Sequence, residues 1–510
     1  MKKGKAEAYM EFCFFLILLT VYMHGIGKLF GPIRFPDEFG YWSHGARLLG
    51  YGWNEVSGIH PYYSFGYGML MAPLLKWCSN PVVLYRIAVS INFILIVWCY
   101  VLLKKILVIL FHAPAYPFMA LFSGLAILYS SFMVYAQTTL PEILLVLLYL
   151  LLIAAVLMFF QKPSAYYMGA MAAISAGLYF VHMRTLGIGM ALWLVLVWEA
   201  VINKDIRAHV LTGALAYGIL IIAGMVYKNN YIDEIYGVSG GSLAALNDFS
   251  GQIEKLGKLT NIKGMADFIC SLGGKLFYLG SATGGLFYWG IMSLHSMTAC
   301  SIRHKMIAAR FVLLSALFTL SIVSLFMIDT PRVDGVIYGR YSEILLPIFI
   351  GTGLTAMVRS PSMWKVSFGI ICFQSVMMYL VNWKISSSGA YGIYRHSIPA
   401  VAYALELSSN RVFAFTKNVY LGGVFLGLTM AGVLWIVRQR ERFWYLAFLW
   451  AVIQWGLGMD VCVQMNYKYN KDNYQDIMIA EQIKDMVGDY ERIVFLYSDG
   501  YGYVDLLQFC

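Results

Sequence analysis

Two adjacent carboxylates follow the first long apolar segment of the chain. Asp37 and Glu38 lie in the stretch RFPDEFGYW at 34–42, between Pro36 and a cluster of aromatic residues. Pro36 would end the preceding helix, and an acidic residue at the start of the next helix stabilises its N-terminus. That capping role would explain one acidic residue, but a pair beside an arginine is equally typical of a site that transfers protons. Asp37 and Glu38 are therefore candidates for acid–base chemistry.

A second group of charged residues lies in DTPRVDGVIYGRYSEILLP at 329–347. Contact with lipid head groups is enough to explain Arg332, because an exposed arginine at a membrane boundary extends toward them. Arg340 precedes a predicted helix, beside Tyr341 and Glu343, and its planar guanidinium suits bidentate contact with phosphate. This stretch predicts an anion contact at Arg340.

Further ionisable and aromatic residues stand in connections between apolar segments. Glu142 follows QTTLP, and His182 and Arg184 lie together in HMRT. Ionisable groups at membrane depth are costly and indicate function, although Glu142 also suits a helix N-terminus and a lone histidine is more often structural. Aromatic-rich HPYYSFGYG at 60–68 adds further candidates. The residues predicted to contact substrate are Tyr41, His60, Tyr62, Tyr63, Glu142, His182 and Glu343.

The composition places these residues in an integral membrane protein. Of 510 residues, 60% are hydrophobic and 13% charged, which is far more apolar than a soluble chain requires. The formal net charge of +10 comes mostly from lysines and arginines between apolar segments, where they set topology and do not indicate a nucleic-acid partner. The eight cysteines lack CxxC spacing, so neither a disulfide framework nor a zinc site is predicted.

Thirteen apolar segments are long enough to be predicted as membrane-spanning helices. The first follows three lysines and lacks a cleavage site, which favours a retained anchor. The spans lie near 11–30, 82–103, 115–134, 142–160, 166–181, 186–202, 208–227, 276–299, 307–328, 342–358, 365–382, 418–437 and 443–462.

The basic residues also predict the orientation of these spans. With the N-terminus inside, every inner connection is basic, as the positive-inside rule requires. We therefore expect a multi-pass protein of the cell membrane with a cytoplasmic N-terminus and an extracytoplasmic C-terminus. The short spans 166–181 and 186–202 could instead form a re-entrant hairpin, which would change the depth of Arg184. The segments predicted to lie outside are 31–81, 135–141, 182–185, 228–275, 329–341, 383–417 and 463–510.

Two regions are predicted along the chain. Residues 1–462 form a polytopic membrane domain, whose first outer loop, 31–81, carries the acidic pair. Residues 463–510 combine a helical pattern with RIVFLY at 492–497, which is typical of a buried strand. We expect an all-α membrane domain and a small α/β extracytoplasmic cap that packs on it, because so short a region is not stable alone.

An outward-facing acidic pair near arginines at the membrane boundary suits transfer from a lipid-linked phosphate donor. The lipid chain would lie among the helices, and its phosphate would contact arginine. A phosphate leaves without strong protonation, so the site needs a cation for the leaving group and a carboxylate as general base for an acceptor hydroxyl.

The stretches PDEFGYW, HPYYSFGYG and YGRYSE resemble those of bacterial membrane glycosyltransferases of the GT-C superfamily, in particular the glycosyltransferase family 39 or protein O-mannosyltransferase-like group. The overall plan is similar over most of the chain: many spans, a long first outer loop with an acidic pair, and an outer C-terminal cap. The cap is shorter than in many relatives, and no extra outer domain indicates a protein acceptor. The acceptor class, whether glycan, lipid or protein, therefore stays open.

The resemblance implies an inverting transfer from a polyprenyl-phosphate sugar. It makes Asp37 the general base, while Glu38 orients the acceptor or its partner groups. It also implies a set of donor-phosphate contacts, with Arg340 first among Arg340, Tyr341, Arg184 and Arg332.

Other interpretations remain open at this point. A transporter or a lipid-linked-glycan flippase would also have many spans, but a secondary transporter places charge near the membrane midplane of paired repeats. A non-catalytic assembly protein would leave the acidic and aromatic content of 34–68 without a purpose. A divalent cation could be bound if Asp37, Glu38, Glu142 and His182 converged, since such ions prefer oxygen ligands.

Overall fold

The structure, a computed structural model, describes residues 3–33, 37–111, 116–237, 244, 254–389, 392–408, 412–440, 444–487 and 502–510. These residues form helices and turns and include no strand. The α-helices are α1 Lys3–Met23, α2 Asp37–Leu48, α3 Asn54–Ser57, α4 Phe65–Trp77, α5 Pro81–Phe111, α6 Tyr116–Ile127, α7 Ser130–Ala136, α8 Glu142–Gln161, α9 Ala165–Val181, α10 Leu186–Ile202, α11 Arg207–Tyr236, α12 Ile262–Ala282, α13 Leu286–Met297, α14 Arg303–Phe326, α15 Val333–Val336, α16 Leu346–Arg359, α17 Met363–Ser388, α18 Tyr403–Glu406, α19 Val412–Arg440, α20 Trp444–Val461, α21 Lys468–Asp472, α22 Tyr474–Val487 and α23 Gly502–Phe509. Short 3-10 turns occupy Ile26–Lys28, Met183–Thr185, Lys204–Ile206, Glu254–Thr260, Glu343–Leu345, Arg395–Ser397 and Pro399–Val401.

The helices confirm an all-α polytopic membrane protein. Within the described ranges, nine helices are long and apolar enough to cross a membrane. The pair α6 and α7 bends by 59° and would add a tenth as one broken span. Length and composition thus support nine or ten of the thirteen predicted spans.

The remaining predicted spans fall on short or interrupted helices. The span 166–181 corresponds to α9, which has 17 residues, and the span 342–358 corresponds to α16, which has 14. The predicted span 276–299 is wrong as a single helix, because the chain turns between α12 and α13. Gly284 and Gly285 make this turn with φ of 57° and 84°, a conformation open to glycine that averaged hydropathy does not detect.

The segments predicted to lie outside meet at one end of the helix bundle, which we call the site end. The Met183 backbone N–H donates to Ser64 Oγ at 3.2 Å, and the Gly339 N–H donates to the Ser397 carbonyl at 2.9 Å. The predicted inner connections meet elsewhere, since Arg303 Nη2 lies 2.8 Å from a Glu199 carboxylate oxygen. The predicted outer and inner connections therefore lie in different parts of the bundle, as the predicted order of the spans requires. Which part faces the outside of the membrane stays a prediction.

The C-terminal residues pack on the first long connection. The Phe30 and Tyr474 rings lie 4.6 Å apart, and the Trp42 and Phe509 rings lie 5.5 Å apart. The predicted boundary near residue 462 is not a structural break, because α20 continues through the π-helix Cys462–Tyr467 into α21. The predicted strand at 492–497 lies outside the described residues.

Removing the carboxylate of Asp505 should loosen this docking. His60 Nε2 lies 2.5 Å from Asp505 Oδ1, and both side chains are buried. Asp505→Ala should lower the free energy of unfolding by about 1–3 kcal/mol, because a buried polar group loses a partner. Thermal unfolding in detergent measures the change in stability. The control is Asp472→Ala, which removes an exposed carboxylate. Equal midpoints for both variants would contradict the docking role.

Candidate active site

A cavity of about 300 Å³ opens at the site end of the bundle. It brings together residues from α2, the connection before α4, the turn after α9 and the segment after α15. The predicted site residues that line it are Asp37, Tyr41, Tyr62, Tyr63, His182, Arg184, Arg332, Arg340 and Tyr341. Sequence reasoning missed the other lining residues, of which Ser64, Tyr338 and His396 carry polar groups; the full set is Pro61, Ser64, Met183, Phe326, Met327, Tyr338 and His396.

Asp37 presents a fixed carboxylate to this cavity. It is the first residue of α2, and its side chain is 28% exposed. Arg340 Nη1 donates to Oδ2 at 2.6 Å, and the Tyr63 hydroxyl donates to Oδ1 at 2.8 Å. These donors orient the carboxylate while its exposure leaves it accessible to a substrate, as a general base requires.

Arg340 is bound by two carboxylates. Its side chain is 2% exposed, and its Nε donates to the buried Glu142, the first residue of α8. Burial opposes the charge of Arg340, but Glu142 and Asp37 together raise its pKa well above the usual range. Glu142 contacts Arg340 and does not line the cavity, so a contact of Glu142 with substrate stays a prediction. The arrangement instead positions Asp37.

Arg184 differs from Arg340 because aromatic rings hold it. Its guanidinium carbon lies 3.6 Å from the ring centroid of Tyr341 and 3.9 Å from that of Phe326. Among the residues that the structure describes, no carboxylate forms an ion pair with Arg184. A guanidinium stacked on aromatic faces keeps its N–H groups available in its own plane. The structure therefore favours Arg184 over Arg340 as the principal anion contact of the cavity.

Other side chains of the cavity lie around Arg184. The Tyr338 and Tyr341 rings stack 4.5 Å apart, and the His182 ring lies 5.4 Å from Tyr341. Burial, with the charges of Arg184 and Arg340, lowers the pKa of His182 well below its usual value, so His182 is neutral at pH 7. Arg332 pairs with Asp334 at 3.1 Å and is therefore less available to an anion than Arg184.

The structure places Glu38 away from the cavity, so a direct contact of Glu38 with the acceptor is not supported, and its predicted part in orienting partner groups stays a prediction. Glu38 is fully buried and does not line the cavity. It accepts hydrogen bonds from the Ile33 N–H at 2.8 Å, the Tyr85 hydroxyl at 2.9 Å and the Thr139 N–H at 2.7 Å. Neighbouring residues of an α-helix point about 100° apart, so Asp37 faces the cavity while Glu38 fixes the start of α2 to the bundle.

Two predicted substrate contacts also lie behind the cavity wall. His60 is buried against Asp505, and the carboxylate of Glu343 is fully buried. Glu343, in the turn before α16, accepts hydrogen bonds from four hydroxyl groups that lie in α12 and in or directly before α7, those of Tyr129, Ser131, Tyr135 and Tyr278. Both side chains contact the interior of the protein and do not line the cavity.

The suggested divalent-cation site does not form in the described part of the chain. No group of three or more histidine, cysteine, aspartate or glutamate residues there is arranged to hold a metal ion. Arg340 contacts both Asp37 and Glu142, while Glu38 faces away from the cavity. In this arrangement, the carboxylates of Asp37 and Glu142 share the Arg340 guanidinium.

Comparison with solved structures identifies the fold. The chain is similar to ArnT from Cupriavidus metallidurans bound to undecaprenyl phosphate, with a TM-score of 0.53 and 15% identity over 99% of this chain and 85% of that chain. ArnT from the same organism in the apo state gives a TM-score of 0.40 and 14% identity, over 82% of this chain and 76% of that chain. No protein-family profile and no curated protein sequence matches the chain. The predicted GT-C fold is confirmed, and the narrower likeness to family 39 stays a prediction.

Proposed function

We propose that this chain, which has the GT-C fold, transfers a sugar from a polyprenyl-phosphate donor to an acceptor hydroxyl on the extracytoplasmic face. The observation that carries the proposal is an accessible carboxylate, Asp37, in the same cavity as a guanidinium held by aromatic rings, Arg184. The first provides a base and the second binds an anion. The ArnT neighbour bound to undecaprenyl phosphate supports this class of donor.

The reaction is a direct displacement at the anomeric carbon. Asp37 accepts the proton of the acceptor hydroxyl as the oxygen forms a bond to that carbon, and the bond from the carbon to the phosphate oxygen breaks. The phosphate leaves with the bonding electrons, and Arg184 stabilises its developing charge. Attack from the face opposite the phosphate inverts the configuration of the sugar.

Arg340 and Glu142 act by positioning the base. Arg340 contacts both carboxylates from a buried position, so it holds the Asp37 carboxylate in a fixed orientation toward the cavity. Glu142 in turn fixes Arg340. Such supporting contacts matter because the base must be held at a productive distance from the acceptor hydroxyl for the proton to transfer.

Replacing Glu142 should therefore lower turnover. Glu142→Gln removes the negative charge that pairs with the buried Arg340 guanidinium. We expect kcat to fall about tenfold or more with little change in the donor KM. The matched control is Glu234→Gln, because Glu234 pairs with Arg47 at 2.6 Å outside the cavity. Transfer rates in proteoliposomes compare the two variants. Equal rates would contradict the positioning role of Glu142.

The function itself is tested with a panel of radiolabelled polyprenyl-phosphate sugars in proteoliposomes. The native chain should consume at least one donor and place its sugar on an acceptor. Testing glycan, lipid and protein acceptors in parallel identifies the acceptor class. If no donor in the panel is consumed, the proposed glycosyl transfer is contradicted.

A further inference from the structure

One short segment of the chain carries four of the residues that line the cavity. We call residues 332–341 the arginine segment; its cavity residues are Arg332, Tyr338, Arg340 and Tyr341. Within this segment, Val333–Val336 forms a single helical turn and the residues after it follow no regular helix. The positions of the four side chains therefore depend on contacts with neighbouring elements.

A buried lysine on α12 binds the backbone of the arginine segment. Lys275 is fully buried, and its Nζ donates to the carbonyls of Gly335 at 2.7 Å and Val336 at 3.0 Å. A third hydrogen bond goes to Ser271 Oγ at 2.9 Å. An ammonium has three N–H donors and no acceptor, so these three oxygens match all of its donors. Lys275 thus fixes the end of α15 to α12.

Asp334 connects this lysine electrostatically with the cavity. Its side chain is fully buried, directly before Gly335 in the chain and within electrostatic range of Lys275. Arg332 Nη2 lies 3.1 Å from Asp334 Oδ2, and Arg332 lines the cavity. A buried charge requires partners of opposite sign. The Asp334 carboxylate therefore has one cation in the bundle and another at the cavity.

The backbone of α12 lies directly against the arginine segment. A Cβ atom at Gly274 would lie 2.2 Å from the Val336 carbonyl oxygen, and one at Gly339 would lie 2.0 Å from the Tyr278 ring. The missing side chains allow this close approach. Lys275 lies between Gly274 and Tyr278 in the chain, so its hydrogen bonds belong to the same tight contact.

The far end of the arginine segment is held by one carbonyl group. The N–H groups of Gly339 and Arg340 both donate to the Ser397 carbonyl, at 2.9 and 3.3 Å. Lys275 therefore holds the beginning of the segment and Ser397 its end. Arg340 lies at that end and contacts Asp37 at 2.6 Å, so a displacement of the segment at α12 would move Arg340 relative to Asp37.

We propose that Lys275 is a positioning residue for sugar transfer, because its hydrogen bonds to α15 hold Arg340 against the Asp37 carboxylate. The inference rests on the proposed function and adds a residue outside the cavity that determines the rate of transfer. Arg184 belongs to a different connection and contacts Phe326 as well as Tyr341. Loss of Lys275 should therefore lower kcat more than it raises the donor KM.

Hydrogen–deuterium exchange of the full chain in detergent tests the placement without an assay of activity. Lys275→Met keeps the unbranched apolar part of the side chain and removes its donors. The matched control is Lys384→Met, because Lys384 pairs with Asp267, also on α12, at 2.6 Å and outside the cavity. Exchange in peptides that contain 335–343 should rise about tenfold or more in the first variant and stay near native in the second. Equal exchange in both variants would overturn the inference.

A comparison of double variants tests whether Lys275 acts through Arg340. Lys275→Met should lower kcat about tenfold or more in the Glu234→Gln background, which leaves Arg340 unchanged. In the Glu142→Gln background, where Arg340 has already lost the charge of one partner, the further fall should be only about twofold. Equal falls in the two backgrounds would overturn the inference.

A conservative variant separates positioning from a general loss of folding. Lys275→Gln keeps two N–H donors on a shorter side chain, so its kcat and its exchange should lie between those of the native chain and Lys275→Met. Thermal unfolding of each variant checks that the protein is folded, and a folded Lys275→Gln protein with native kcat and exchange would overturn the inference. If Lys275→Met raises exchange but the native chain transfers no sugar, the proposed function fails and the placement by Lys275 stands.

Discussion

Asp37→Asn should lower kcat for sugar transfer by about 100- to 10,000-fold, the range that a general base contributes. The amide has nearly the same shape as the carboxylate but cannot accept the proton of the acceptor hydroxyl. The phosphate contact at Arg184 is separate from Asp37 in the cavity wall. Donor binding should therefore change much less than kcat, and initial rates with a titration of donor measure both quantities.

Asp267→Asn is the matched control for this change. Asp267 pairs with Lys384 at 2.6 Å and does not line the cavity, so its replacement should leave transfer near the native rate. Thermal unfolding of both variants separates a loss of folding from a loss of chemistry. Native turnover in folded Asp37→Asn protein would remove Asp37 from the role of base.

Arg184→Ala should lower kcat/KM for the donor about 100-fold. Hydrogen bonds to a charged group contribute about 1.5–3 kcal/mol, and contact with the leaving phosphate strengthens as charge develops in the transition state. Arg184→Lys should recover part of this loss, because lysine keeps the charge but not the planar stack between Tyr341 and Phe326. Competition between labelled donor and free polyprenyl phosphate shows whether the lower kcat/KM of Arg184→Ala comes from weaker phosphate binding.

Arg47→Ala is the control for the loss of an arginine on an aromatic ring. The Arg47 guanidinium carbon lies 5.2 Å from the Tyr227 ring centroid and outside the cavity. We expect its donor kcat/KM to stay within a few fold of native. If Arg184→Ala and Arg47→Ala behave alike, Arg184 does not bind the donor phosphate.

The sequence located the site because its chemistry is concentrated in short stretches. Asp37 and Tyr63 come from the first long connection and Arg340 from a distant one, yet topology alone predicted that these connections share one end of the bundle. The structure brings the three side chains into direct contact. Charge patterning carries this information, since basic inner connections leave the unusual polar residues on the other side.

The role of each charged residue could not be predicted in the same way. Asp37 and Glu38 are adjacent and chemically alike, but helix geometry turns one to the cavity and the other into the bundle. Arg340 and Arg184 are likewise the same residue type, and only tertiary contacts show that two carboxylates bind the first while rings hold the second. Residue type and spacing contain no information about such partners.

The helix interruptions escaped prediction for a related reason. The bend between α6 and α7 lies inside a segment that is mostly apolar. Its carbonyls and side chains are fixed by distant partners, including the hydrogen bond from the Tyr129 hydroxyl to Glu343 at 2.8 Å. Averaged hydropathy measures only how apolar a segment is, so it cannot show where tertiary contacts bend the helix.

The central claim is that sugar leaves a polyprenyl phosphate at the cavity that Asp37 lines. The most direct measurement follows one doubly labelled donor in proteoliposomes, with one isotope in the sugar and another in the lipid, for the native chain and Asp37→Asn. We predict that the native chain releases free polyprenyl phosphate and glycosylated acceptor in equal amounts and that the variant releases neither. Movement of the intact donor across the bilayer with no separation of the two labels would contradict the account and indicate a flippase.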